Sequence, residues 1–131
     1  MGRMLPFVLI AGISAASAAT AAPAADLGML SKLKPGRWSV SIRDEGLART
    51  ICIGDPAQLI QLRHAGNNCQ RFLVEDGPSR VSVQYTCKRH GYGLTSIRKE
   101  TDTLVQIESR GIAGGLPFQF SAEARRIGAC R

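Results

Sequence analysis

Four cysteines and two histidines carry most of the reactive chemistry this sequence could offer: Cys52, Cys69, Cys87 and Cys130, with His64 and His90. His64 lies between the first two cysteines, and His90 follows Cys87 closely. Three chemistries are open to such a set. A thiolate beside an imidazole could act as a nucleophile, but only if the thiol is free. Zinc would want closely spaced ligand pairs such as C-x-x-C, and no such pair occurs; a redox C-x-x-C is missing for the same reason. The third use is covalent bracing, which an oxidising compartment favours.

The amino terminus points to that compartment. Arg3 is followed by "LPFVLIAGISAASAA", apolar and uncharged, and then by small residues in "ASAATAAPAAD". This is the three-part plan of a secretory signal peptide. It predicts a leader over residues 1–24, with cleavage after Ala24 or Ala19, and one domain over residues 25–131. The apolar part, Leu5 to Ile13, is shorter than the roughly 20 residues a membrane span needs. No second long apolar run follows, so no transmembrane segment is expected after the leader. An even cysteine count in a small exported domain then reads as two disulfides.

Charge bounds the partners. Lys and Arg number 17 against 10 Asp and Glu, a formal net charge of +7. A basic exported protein is drawn weakly to anionic surfaces. The cations are scattered, with adjacent pairs only at Lys88-Arg89, Arg98-Lys99 and Arg125-Arg126. A solvated basic surface is therefore expected, rather than a dedicated nucleic-acid site.

Four cysteines allow three pairings. The expected one is Cys52–Cys69 with Cys87–Cys130. Between Cys52 and Cys69, Asp55 is a good N-cap, Pro56 suits the first helical position, and Gln58 completes a capping box. Leu59, Ile60 and Leu62 give an apolar stripe, and Gly66 is a stop. A helix from Pro56 to Ala65 would be about 15 Å long, and extended flanks could bring its two cysteines back together.

The remaining pattern is strand. In "GRWSVSIRD", Trp38, Val40 and Ile42 alternate with polar residues; in "SRVSVQYTCKR", Val81, Val83, Tyr85 and Cys87 do the same. Such alternation marks strands with one buried and one wetter face. "ARTICIG", "CQRFLVEDG", "GLTSIRKE", "DTLVQIESR" and "FQFSAEARRIG" add five more, separated by turns at Asp44–Gly46, "HGYG", Glu100–Asp102 and "GIAGGLP". The expected fold is mainly β (α+β): an antiparallel meander of about seven strands, curved or closed into a small open barrel, with one short helix and two disulfides. Leu27, Leu30 and Leu33 are spaced for a helical turn over the core. The expected pairing would pin the last strand against the Cys87 strand.

"LKPGRWSVSI", "CIGDPAQL", a second cysteine, "VSVQYTCK" and a terminal "GAC" together resemble the domain of unknown function family 3617. The resemblance runs from Leu33 to Cys130. It is carried best by Pro35-Gly36-Arg37-Trp38 and the cysteine positions, and less well by the glycines around Gly91, Gly93 and Gly111. It implies a small exported, periplasmic protein of Gram-negative type, and it brings no catalytic residues to transfer.

No hydrolase elbow, zincin or phosphate-loop motif is present. Glu75–Asp76 and Glu100–Asp102 are paired acids, but both fall in turns, where nothing drives their pKa values apart. His64 reads as a half-buried or surface residue at a helix end, and His90 as a turn residue. Trp38 reads as a core anchor; with Tyr85, Phe118 and Phe120 it could instead line a cavity. No cofactor or metal is expected. The best reading is a non-catalytic envelope module that binds a small ligand or an envelope protein. The alternatives are an inhibitor or accessory subunit of an acidic protein, and an enzyme with an unfamiliar site.

Overall fold

A computed structural model describes Gly2 and residues 27–131; the expected leader lies outside the described residues apart from Gly2. The chain runs through helix α1 (Gly28–Ser31), strands β1 (Gly36–Ile42) and β2 (Ala48–Ile53), and the 3-10 helix η1 (Pro56–His64). Strands β3 (Cys69–Asp76), β4 (Arg80–Cys87), β5 (Gly91–Thr101), β6 (Leu104–Ala113) and β7 (Leu116–Gly128) follow.

All seven strands form one antiparallel sheet in the order β2-β1-β7-β6-β5-β4-β3. Strands β3 to β7 are the expected meander. The β1–β2 hairpin joins it through β1, which lies beside β7. The sheet is therefore open, with β2 and β3 as its edges, and η1 is the only connection between them. The turns fall close to their sequence signals, but glycines expected in two of them belong to strands: Gly111 to Ala113 end β6, leaving Gly114–Gly115 as the β6–β7 turn. The β4–β5 turn is Lys88–His90, and Gly91 to Gly93, expected in the turn, begin β5.

The alternation in the sequence becomes the concave face. Trp38, Val81, Val83, Ile97, Val105 and Ala124 are all buried there. A single curved sheet cannot bury its own apolar face, so another layer must cover it. α1 supplies Met29 and Leu30, the turn after it supplies Leu33, and η1 supplies Ala57, Leu59 and Ile60. Each large side chain so buried contributes about 1.5–3 kcal/mol. Trp38 is wholly buried, and its indole N–H donates to the Lys34 carbonyl at 3.0 Å.

η1 keeps its expected start and loses its expected form. Asp55 caps Ala57 N–H at 2.9 Å, and Gln58 Oε1 returns to the backbone N–H of Asp55 and Gly54. An α-helix to Ala65 does not follow. Gln61 leaves helical geometry at φ −120° and ψ 49°. Its amide instead donates to the carbonyls of His64 (3.0 Å) and Asn67 (2.8 Å). A buried glutamine that must satisfy its polar atoms competes here with the regular ladder.

The disulfide pairing is corrected. Cys52 bonds Cys130, with Cα atoms 5.6 Å apart, and Cys69 bonds Cys87, with Cα atoms 4.2 Å apart. The register gives the reason. Cys69 and Cys87 are directly opposite each other on β3 and β4. Cys52 faces Arg37 on β1, and Arg37 faces Gly128 on β7, so Cys130 emerges within reach of Cys52. η1 does not fold back to return Cys69 to Cys52. It carries the chain from one sheet edge to the other. Nor can Cys130 reach Cys87, because β6 and β5 separate β7 from β4.

Candidate functional site

Because η1 spans the two sheet edges, it leaves a cleft along the seam. The cleft has a volume of about 560 Å³, within the range of small-molecule sites. Its floor is apolar: Val40 and Ile42 from β1, Ile51 from β2 and Leu62 from η1. Its polar groups are Arg49 from β2, Arg63, Gln58 and Gln61 from η1, Asn67 beyond it, and Arg71 from β3. Since β2 and β3 both contribute, the sheet curls until its edges face each other across this gap.

The three arginines are held differently. Arg63 pairs with Glu45 of the β1–β2 turn, and its guanidinium carbon lies 5.0 Å from the centre of the Phe120 ring. Arg49 also pairs with Glu45, at 3.3 Å. The Arg63 guanidinium beside Glu45 holds that carboxyl below the usual carboxylate range, and Arg49 adds to the effect. Arg71 has a neutral partner instead: it donates to Gln61 Oε1 at 3.0 Å. Arg63 Nε is buried without a hydrogen-bond partner among the described residues. No acidic residue is among those lining the cleft.

Under the far half of η1 lies a buried polar strut. His64 is buried, with Nε2 3.0 Å from the His90 carbonyl and Nδ1 3.0 Å from the Tyr85 hydroxyl. A carbonyl only accepts, so Nε2 carries the proton; in the neutral ring Nδ1 then accepts from Tyr85. Thr95 donates to the Ile60 carbonyl at 2.6 Å and pairs with Ser109 at 2.8 Å. These bonds tie η1 to β4, β5 and β6. Two glycines make room for them. A Cβ at Gly93 would lie 2.5 Å from the Tyr85 hydroxyl, and one at Gly91 would lie 1.9 Å from the Ile112 carbonyl at φ +118°.

Burial also raises the Tyr85 phenol above the ordinary tyrosine range. A raised phenol binds its proton longer in the folded state than in the unfolded one. Its contribution to stability is therefore complete below the unfolded value and is lost as pH rises through the folded one. Tyr85→Phe should lower stability by about 1–3 kcal/mol, because it leaves His64 Nδ1 buried and unpaired. Urea unfolding at neutral pH, repeated in alkali, measures this, and the difference between variant and wild type should shrink as the solution becomes alkaline.

The residues singled out from sequence take bracing and core positions. Cys52 and Cys130 close the β2 side of the cleft, and Cys52 lines it; Cys69 and Cys87 lock β3 onto β4. Trp38 and Tyr85 lie in the core, Phe120 is buried beneath Arg63, and Phe118 is half-buried beside it, with ring centroids 6.1 Å apart. None of these four aromatics is among the residues lining the seam cleft. His64 is brought to Tyr85 rather than to a cysteine.

The cleft arginines are not among the candidate residues of the sequence, although their positions carry a signal. Arg49 shares a strand face with Ile51 and Ile53, and Arg71 shares one with Cys69 and Leu73. A charge at an inward position of an otherwise alternating strand is out of pattern. Among the described residues, no group of three or more potential metal ligands occurs, and no helix is long and apolar enough to cross a membrane.

No curated protein and no solved structure shows significant similarity to the chain. The family described as "Protein of unknown function (DUF3617)" matches residues 33–130, from just after the α1 cap to the final cysteine. That span takes in every strand, both disulfides and the whole seam cleft. The chain is a member of the DUF3617 family.

Proposed function

We propose that this protein is an exported, non-catalytic binding module whose ligand enters the seam cleft between β2, η1 and β3. The observation that carries the reading is the cleft itself: an apolar floor with a few converging polar side chains, in a protein whose remaining concave face is filled. The leader pattern and two disulfides support a periplasmic setting, where such bonds persist. The same disulfides leave no free thiol for nucleophilic chemistry. His64, the best-placed base, spends both ring nitrogens on structural bonds. These features favour binding over catalysis.

The test is to fill the cleft. Leu62 is half-buried on the cleft wall, and Leu62→Trp should occupy it without disturbing the strut beneath. Protein recovered from the periplasm should carry a small-molecule adduct by native mass spectrometry, and Leu62→Trp should lose it. A wild-type protein that carries no adduct, and gains no thermal stability from a small-molecule extract of periplasm, would overturn the reading.

A further inference from the structure

The make-up of the cleft narrows the ligand class, on the footing that the cleft is the binding site. We infer that the cleft takes an anionic amphiphile, an alkyl or acyl chain ending in a carboxylate or phosphate. The chain would lie on Val40, Ile42, Ile51 and Leu62, and the head would meet Arg71 and Arg63.

Three observations lead there. First, the lining carries three cations and no acid. One carboxylate, Glu45, serves Arg49 and Arg63 together, so the mouth keeps an excess of positive charge. Second, neither Arg71 nor Arg63 has its donors fully matched. Arg71 bonds only a neutral amide oxygen, which an anion would outcompete, and Arg63 Nε is buried and unpartnered among the described residues. Bonds from guanidinium to carboxylate or phosphate are about twice as strong as neutral ones and are often bidentate. Third, the floor between these arginines is wholly aliphatic, which suits a chain rather than a sugar or a nucleotide. An inward charge on an edge strand can also serve to discourage edge pairing. That role explains Arg49 and Arg71 singly, but not Arg63, which lies on η1, nor the open apolar floor.

Glu45 then acts as an internal stand-in for the ligand head. It holds Arg63 and Arg49 in the empty state and competes with the incoming anion. Removing its charge should tighten binding, an effect opposite in sign to that of losing an arginine.

The experiment is calorimetric titration of the oxidised protein with monomeric laurate, dodecyl phosphate, dodecyl maltoside and dodecyl trimethylammonium, and with inorganic phosphate alone. The two anionic chains should bind at least about tenfold more tightly than the neutral chain, with the cationic chain weakest. The tighter of the two anions identifies the head group. Inorganic phosphate alone should bind far more weakly than dodecyl phosphate. Hexanoate should bind much more weakly than laurate. Arg71→Gln should weaken laurate at least about tenfold and leave dodecyl maltoside unchanged, while Glu45→Gln should strengthen laurate severalfold.

Equal affinity for all four chains, or Arg71→Gln that self-associates with laurate affinity intact, would overturn the inference. If no chain binds while the Leu62-dependent adduct persists, the ligand class is wrong and the module reading stands. If the adduct is missing as well, both fail.

Discussion

Replacing Cys52 and Cys130 together by serine is expected to remove about 4.5 kcal/mol of stability, the larger of the two disulfide effects. The crosslink closes a sequence separation of 78 residues, and the chain-entropy cost of closing a loop grows with its logarithm. The Cys69–Cys87 bridge spans 18 and should contribute about 3 kcal/mol by the same reasoning. Small domains have only about 5–15 kcal/mol in total, so the first loss leaves little margin. The structural consequence should be local as well. β2 is an edge strand paired only with β1, and its link to Cys130 is what ties it past β1 to the end of β7. Urea denaturation of the two double variants gives the ranking. Hydrogen exchange should show the Cys52/Cys130 variant losing protection first in β2. Equal destabilisation by the two pairs would argue against the loop-entropy account.

Trp38→Ala should be comparably severe, at about 3–5 kcal/mol. Trp38 is 0% exposed and sits where β1 meets both β2 and β7, directly opposite Ile51 and Arg126. Truncation opens a cavity in the core and removes the donor to the Lys34 carbonyl, which fastens the α1–β1 link. Trp38→Phe separates the two contributions, since it refills most of the cavity and still lacks the N–H. Chemical denaturation of both should place Trp38→Phe between wild type and Trp38→Ala, within about 1–3 kcal/mol of wild type. A Trp38→Ala protein as stable as wild type would show that the indole is not the core anchor.

Much of this fold could be read from the chain because its strands alternate cleanly. Trp38, Val40 and Ile42 in β1, and Val81, Val83, Tyr85 and Cys87 in β4, lie on the inner face as their period requires. Asp55, Pro56 and Gln58 mark the start of η1 because capping is a local matter, settled within four residues. What could not be read depends on distance across the fold. The disulfide pairing follows from strand order, and nothing local in "CIGDPAQLIQLRHAGNNC" says that η1 crosses from one sheet edge to the other. The kink at Gln61 follows from partners at His64, Asn67 and Arg71 that only the folded chain assembles. The cleft has the same origin. Arg49, Arg63 and Arg71 come from three separate elements, and each alone looks like one more cation in a basic protein.

The strut is an instructive case between these extremes. Gly91, Gly93 and Gly111 looked like turn residues, but all three lie in strands. Their small size is needed by a neighbour: Tyr85 for Gly93, and the backbone of Ile112 and Tyr92 for Gly91 and Gly111. Glycine inside a strand often marks such a close approach.

If the seam between β2 and β3 is a ligand site rather than an unfilled gap, an anionic chain must perturb its lining and little else. Methyl NMR of the oxidised protein, titrated with laurate, tests this most directly. Shifts should be confined to the methyl groups of Val40, Ile42, Ile51 and Leu62, while those of Val81, Ile97 and Val105 in the core stay in place. Perturbation centred on the convex face, or spread evenly over core and cleft methyls, would contradict it.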